Sequence, residues 1–137
     1  MRDEEKTRLI KAAVKARLAA RTRYSGFKVG AALLTRSGQI ITGANVESAS
    51  YGLSCCAERV ALFCALVNGK KNFVAIAVVA RVPGGAVPCG ACLQLLAEYA
   101  PQAEVFVADS RWPAKSRRFL VRDLLPAPFK FVPDNSD

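Results

Sequence analysis

Phe73-Val-Ala-Ile-Ala-Val-Val-Ala80 is an apolar run of strand length without polar alternation, which predicts a strand buried on both faces. Such a strand belongs to a sheet covered by helices. Upstream, Cys56-Ala-Glu-Arg-Val-Ala-Leu-Phe-Cys-Ala-Leu-Val-Asn-Gly69 has helical periodicity and stops at a glycine. Downstream, the breaker stretch Val82-Pro-Gly-Gly-Ala-Val-Pro88 leads into a second core helix, Cys89 to Tyr99, ended by Pro101. Further out, Leu9, Ile10, Ala13, Val14 and Leu18 recur at helical intervals between charges, so Glu4 to Arg23 reads as an amphipathic helix broken by Tyr24-Ser-Gly-Phe27. Lys28–Thr35 and Gln39–Gly43 read as a hairpin around Arg36-Ser37-Gly38, and Glu104–Ala108 and Arg118–Val121 complete the strands. The order predicts an α/β layer fold. At 137 residues a single domain over 1–137 is expected, with a core of about 5–130 and a short C-terminal tail.

The composition narrows the chemistry. The chain has no histidine, which excludes Ser-His-Asp and Cys-His catalysis, an HExxH zinc site and a histidine general base. Acid-base work then falls to carboxylates, Lys, Tyr or thiols, and a soft-metal site must be built from cysteines. Five are present, an odd number that argues against a disulfide framework. Cys64 fits a buried small hydrophobe. The charged N-terminus lacks the apolar core of a secretory signal and no run is long enough to span a bilayer, so a soluble cytoplasmic protein with no membrane partner is expected. The net charge of +9 is concentrated in residues 1–23 and 111–137, while 24–110 is nearly neutral. Solvated helix and tail faces account for it, and a nucleic-acid partner is not favoured.

Two helix starts carry the chemistry, Cys56-Ala57-Glu58-Arg59 and Pro88-Cys89-Gly90-Ala91-Cys92. With Pro88 in a first turn, both cysteines of the CxxC pair fall in the opening turn, where free N–H groups and the helix dipole favour thiolates. If the two ends meet, they supply three sulfurs, Cys56, Cys89 and Cys92, and leave a fourth metal position for water, as in a catalytic zinc site. Arg59 is placed to offset the negative charge of three thiolates on zinc. Glu58 is the one carboxylate in either motif.

These motifs resemble those of the small zinc-dependent cytidine deaminases, in which a His or Cys plus a PCxxC pair hold the metal and a non-ligand Glu shuttles protons. Cys56-Ala57-Glu58 fills the first half, with Cys in the His position, and Pro88-Cys89-Gly90-Ala91-Cys92 the second. The similarity extends through Tyr24-Ser-Gly-Phe27-Lys-Val-Gly-Ala-Ala-Leu-Leu34, Asn45-Val46-Glu47, Ala49-Ser50-Tyr51, and Leu124-Leu125-Pro126 with Phe129. Two positions depart from the family pattern: Leu93 stands where Arg is usual, and Cys55 replaces a small or polar residue.

The resemblance implies a three-layer α/β/α fold with a central mixed five-stranded sheet, and one zinc ion per chain. It implies hydrolytic deamination of cytidine or 2'-deoxycytidine in pyrimidine salvage, with Glu58 as proton shuttle. Phe27 would pack on the pyrimidine, Asn45 and Glu47 would bind the ribose, the N–H of Ala57 would face the base carbonyl, and the Val87-Pro88 backbone would line the amino side. Tyr51 and Phe129 would complete a neighbouring subunit's pocket in a homotetramer. Taken singly, these residues carry plainer readings: Phe27 as core, Asn45 and Glu47 as a strand end, Glu58 as a helix cap or partner of Arg59, Phe129 as cover for its own core. The alternative functions are a related aminonucleoside (blasticidin-type) or RNA deaminase, a CxxC thiol-disulfide oxidoreductase, and a zinc-structured nucleic-acid-binding module.

Overall fold

Strand β3, Phe73–Ala80, lies at the middle of a five-stranded sheet. The computed structural model describes residues 1–132, so the end of the expected C-terminal tail, residues 133–137, lies outside the described residues. The elements run α1 (Asp3–Arg17), β1 (Val29–Thr35), β2 (Ile40–Ala44), a 3-10 turn (Tyr51–Leu53), α2 (Ala57–Val67), β3, α3 (Gly90–Tyr99), β4 (Glu104–Asp109), β5 (Arg117–Leu120) and α4 (Val121–Leu124). The sheet order is β2-β1-β3-β4-β5; β3 and β4 are parallel and the other pairs antiparallel. This is the expected mixed sheet.

Alternation along the strands divides the core in two, because successive side chains point to opposite faces. Ile76, Val78, Val105 and Val107 meet Ala61, Leu62 and Leu96 of α2 and α3. Ala75, Ala77, Val79 and Phe106 meet Leu9, Ile10 and Ala13 of α1. The burial of β3 on both faces follows from this three-layer arrangement. No helix of the described residues is long and apolar enough to cross a membrane.

Topology brings the site together. Strands β2 and β3 each pair antiparallel with β1 and therefore point the same way. The helices that follow them, α2 and α3, thus begin at the same end of the sheet, with Cys56 and Cys89 as their N-caps. Gly43 of β2 lets α2 lie close, since a Cβ there would fall 2.4 Å from the backbone nitrogen of Ala61.

Four local expectations are corrected. The first helix ends at Arg17 rather than Arg23, because the backbone beyond it is captured by another segment: Arg21 N–H donates to Asn45 O (2.9 Å) and Glu47 N–H to Arg21 O (2.9 Å). Pro88 precedes the cap instead of occupying the first turn; Cys89 is the N-cap itself and Cys92 lies in the first turn. Cys64 is exposed rather than buried, since Ala57, Glu58, Ala61, Leu62 and Ala65 form the inward stripe of α2. The last strand also stops at Leu120, and Val121 opens α4.

Candidate functional site

At the shared end of α2 and α3, the sulfurs of Cys56, Cys89 and Cys92 all lie within 4.8 Å of one another. Both N-cap cysteines have extended backbones (ψ 153° and 169°), the usual geometry for turning a side chain toward the free N–H groups of a first turn. The Cys89 and Cys92 sulfurs are 3.7 Å apart, against about 3.8 Å between two sulfurs on a tetrahedral zinc with Zn–S near 2.3 Å. All five cysteines are free thiols. The donor set therefore fits zinc: three clustered sulfurs, Cys89 and Cys92 at tetrahedral spacing, with no fourth His, Cys, Asp or Glu grouped with them among the described residues.

The electrostatics suit a thiolate cluster. Burial pushes the Cys89 thiol up, but the N–H groups of Cys92 and Ala91 and the neighbouring thiols outweigh it, and its pKa is lowered overall. Cys92, buried at the base, is pushed strongly upward by desolvation and by the charges of Glu58 and Cys56, so a cation among the sulfurs is what would hold it as thiolate. Arg59 Nη2 lies 3.5 Å from Cys56 Sγ, and this contact raises the pKa of the guanidinium, which stays charged. Arg59 thus sits where the charge of three thiolates needs offsetting. Leu93, in place of the family's usual Arg, is buried on α3 and brings no second cation.

Glu58 is 6% exposed in the first turn of α2. Burial dominates its environment and raises its pKa above the ordinary carboxylate value of 4.5. A carboxyl so placed can both take and return a proton. It opens onto a cavity of about 420 Å³, within the range of small-molecule sites, whose wall also includes Cys56, Cys89 and Arg59.

The remaining expected residues divide. Phe27, Asn45, Glu47 and Ala57 line this cavity, as do Val87 and Cys55. Burial raises the pKa of the Cys55 thiol, and it stands outside the sulfur triad. Tyr51 lines the rim of the chain's own cavity while 81% exposed, leaving most of its ring free. Phe129 is apart from the cavity wall; its backbone is bound to Gln94 on α3.

Asn45 and Glu47 have structural partners that their spacing did not reveal. Asn45 accepts from Val29 N–H (2.8 Å) and donates to Phe27 O (2.9 Å), so its amide fixes the bend that carries Phe27. Glu47 accepts from the N–H groups of Tyr24 and Ser25 (3.1 and 3.0 Å) and from the Ser25 hydroxyl. Ser25, whose oxygen also accepts from Phe27 N–H (2.9 Å), is a site residue the sequence reading passed over. The signal is the Ser-Gly turn before an aromatic, which marks a helix break and part of the family-like motif but does not announce the contact with Glu47. Arg117, whose Nε donates to Gly84 O (3.0 Å) and so steadies the loop before Cys89, carried no sequence signal.

Comparison with known proteins agrees with this arrangement. A family model described as the cytidine and deoxycytidylate deaminase zinc-binding region matches residues 3–108. A cytidine deaminase of Halalkalibacterium halodurans is 49% identical over 121 residues, 88% of this chain and 91% of that protein. The crystal structure of cytidine deaminase from Burkholderia pseudomallei matches with a TM-score of 0.86 and 46% identity, covering 94% of this chain and 100% of that one. A blasticidin-S deaminase of Bacillus cereus is 31% identical over 106 residues, 72% of this chain and 74% of that protein. The family match takes in both cysteine-bearing helix starts, and on it the chain belongs to the cytidine and deoxycytidylate deaminase family of zinc-binding proteins.

Proposed function

We propose that this chain converts cytidine and 2'-deoxycytidine to the corresponding uridine nucleosides and ammonia, a pyrimidine-salvage reaction. The observation that carries the reading is the buried Glu58 carboxyl on the same cavity wall as Cys56 and Cys89, two of the three clustered sulfurs that fit one zinc ion, with Cys92 buried behind them. Cys56, Cys89 and Cys92 would hold the metal. Bound there, zinc lowers the pKa of a ligating water toward about 7 and so supplies a nucleophile at neutral pH.

Glu58 takes one proton of the water whose oxygen adds to C4 and delivers it to ring N3, which makes C4 more electrophilic. It then moves the proton of the new C4 hydroxyl to the exocyclic nitrogen, the C4–N bond breaks, and ammonia leaves. A single buried carboxylate serves both transfers because it can accept a proton and return it from one position, and burial raises its pKa above the ordinary carboxylate value. Arg59 offsets the thiolate charge through Cys56. Phe27 packs on the pyrimidine, the N–H of Ala57 faces the base carbonyl, and the Val87-Pro88 backbone borders the amino group. Asn45 and Glu47 retain free hydrogen-bonding capacity beyond their loop contacts and hold the sugar hydroxyls. The exposed Tyr51 and Phe129 rings reach a neighbouring subunit's pocket in a homotetramer acting in the cytoplasm, and residues 1–137 form one domain.

The substrate is favoured by similarity, 49% to a cytidine deaminase against 31% to a blasticidin-S deaminase. A thiol-disulfide function would leave Cys56 and Glu58 without a role. The test is loss of ultraviolet absorbance on incubation with cytidine, deoxycytidine, blasticidin S and a cytosine-containing oligonucleotide. Turnover of the two free nucleosides is expected, and turnover of the oligonucleotide or the antibiotic alone would overturn the substrate assignment.

A further inference from the structure

Beyond α4 the chain continues through residues 126–132 without regular structure, and Phe129 and Phe131 are left 71% and 77% exposed. One side chain fastens this strap. Gln94 Nε2 donates to Phe129 O (2.9 Å), and Phe129 N–H donates to Gln94 Oε1 (3.0 Å). The primary amide thereby imitates the paired N–H and C=O of a neighbouring strand and fixes both peptide groups of one residue. No other hydrogen bond ties 126–132 to the rest of the described residues. Gln94 itself is half-buried on α3, two residues after Cys92, so its backbone is rigidly placed with respect to the sulfur triad.

A tether that holds the backbone of an aromatic while leaving its ring in solvent serves presentation rather than burial. We propose that Gln94 is a positioning residue for the deaminase reaction, holding the C-terminal strap so that the Phe129 ring is preorganised to close a neighbouring subunit's substrate pocket. This rests on the reading of Phe129 given above. Without the tether the strap samples many conformations, and ordering it on each binding event weakens substrate affinity, while the proton transfers at Glu58 are untouched.

The experiment is a double-mutant cycle on the zinc-loaded enzyme with Gln94→Ala, Phe129→Ala and the double variant, together with amide hydrogen exchange at Phe129. Alanine is a good helix former, so Gln94→Ala keeps α3. Loss of two neutral hydrogen bonds should raise KM for cytidine about tenfold with kcat within about twofold. Zinc content and assembly mass should remain at wild-type values. The Phe129 amide should be protected in the wild type and exchange fast in Gln94→Ala. In the Phe129→Ala background the Gln94 substitution should add almost nothing, since the group it positions is gone. A wild-type KM for Gln94→Ala, a fall in kcat alone, or full additivity in the double variant overturns the inference. So does a wild-type KM for Phe129→Ala. Failure of the wild type to deaminate cytidine would instead overturn the proposed function, and the two results are separable in the same set of assays.

Discussion

Gly43→Ala tests how the fold positions the site. A Cβ at Gly43 would sit 2.4 Å from Ala61 N and 2.7 Å from Ala57 O, where ordinary contact begins at 3.4 Å. Both are backbone atoms of α2, so no side-chain rotation relieves the overlap, and α2 must move off β2 by about 1 Å. Overpacking of this kind costs about 2 kcal/mol, which for a chain of this size lowers Tm by roughly 6–10 °C. The functional effect should be larger. The displaced helix carries Cys56 and Glu58, whereas Cys89 and Cys92 sit on α3, and a zinc site tolerates only about 0.2 Å in its metal–ligand distances. Zinc retention should fall with Tm, and kcat/KM for cytidine should fall about 100-fold. The control is Gly30→Ala, whose Cβ would fall 2.0 Å from Ala13 O of α1 on the opposite face, where no ligand lies. It should lower Tm at least as much yet keep its zinc. Calorimetry, metal analysis and initial rates on both variants decide the matter. A Gly43→Ala enzyme with wild-type zinc content and kcat/KM, or a Gly30→Ala enzyme that loses zinc in parallel, refutes the reasoning.

Cys89→Ala leaves two of the three sulfurs, so zinc should drop from about one per chain to a small fraction after dialysis, and turnover should disappear with it. Ser25→Ala removes the hydroxyl that binds Glu47 and accepts from Phe27 N–H, and KM for cytidine should rise about three- to tenfold although Ser25 reaches no substrate. An unchanged KM would show that the loop does not need this clamp. The Arg111 guanidinium, and after it the Arg111 N–H, holds the Asp109 carboxyl below its ordinary value of 3.8. The unfolded chain therefore binds the extra proton first, and this contribution to stability is present above about pH 4 and lost as pH falls through the lower folded-state value. Asp109→Asn should accordingly melt below the wild type at pH 7, with the gap closing toward pH 2 to 3; a gap independent of pH would contradict this.

Much of the fold was legible because burial leaves a compositional trace. The apolar run of β3 announced a two-sided sheet, and the glycine after α2 and the proline after α3 marked helix ends. Strand order was not legible, since alternation reports which face is buried and not which strand lies alongside. The end of α1 was misread for a similar reason: Leu18 continues the helical period, but distant backbone groups of Asn45 and Glu47 bind Arg21 in place of the next turn. The 3-10 turn and α4 are too short for a period to show. In the site, the sulfur triad and Glu58 were legible because metal ligation demands fixed residue types at short spacings. The clamps were not, because Ser25 meets Glu47 across 22 residues and Gln94 meets Phe129 across 35, and contacts of that range leave no local pattern.

The central claim is that Glu58 moves the protons while the cysteines hold the metal, and the direct test is Glu58→Gln, with zinc content and cytidine turnover measured on the same preparation. Gln preserves size and hydrogen bonding but accepts no proton, so zinc should stay at about one per chain while kcat falls by at least about 100- to 10,000-fold. Wild-type turnover in that variant would contradict the account.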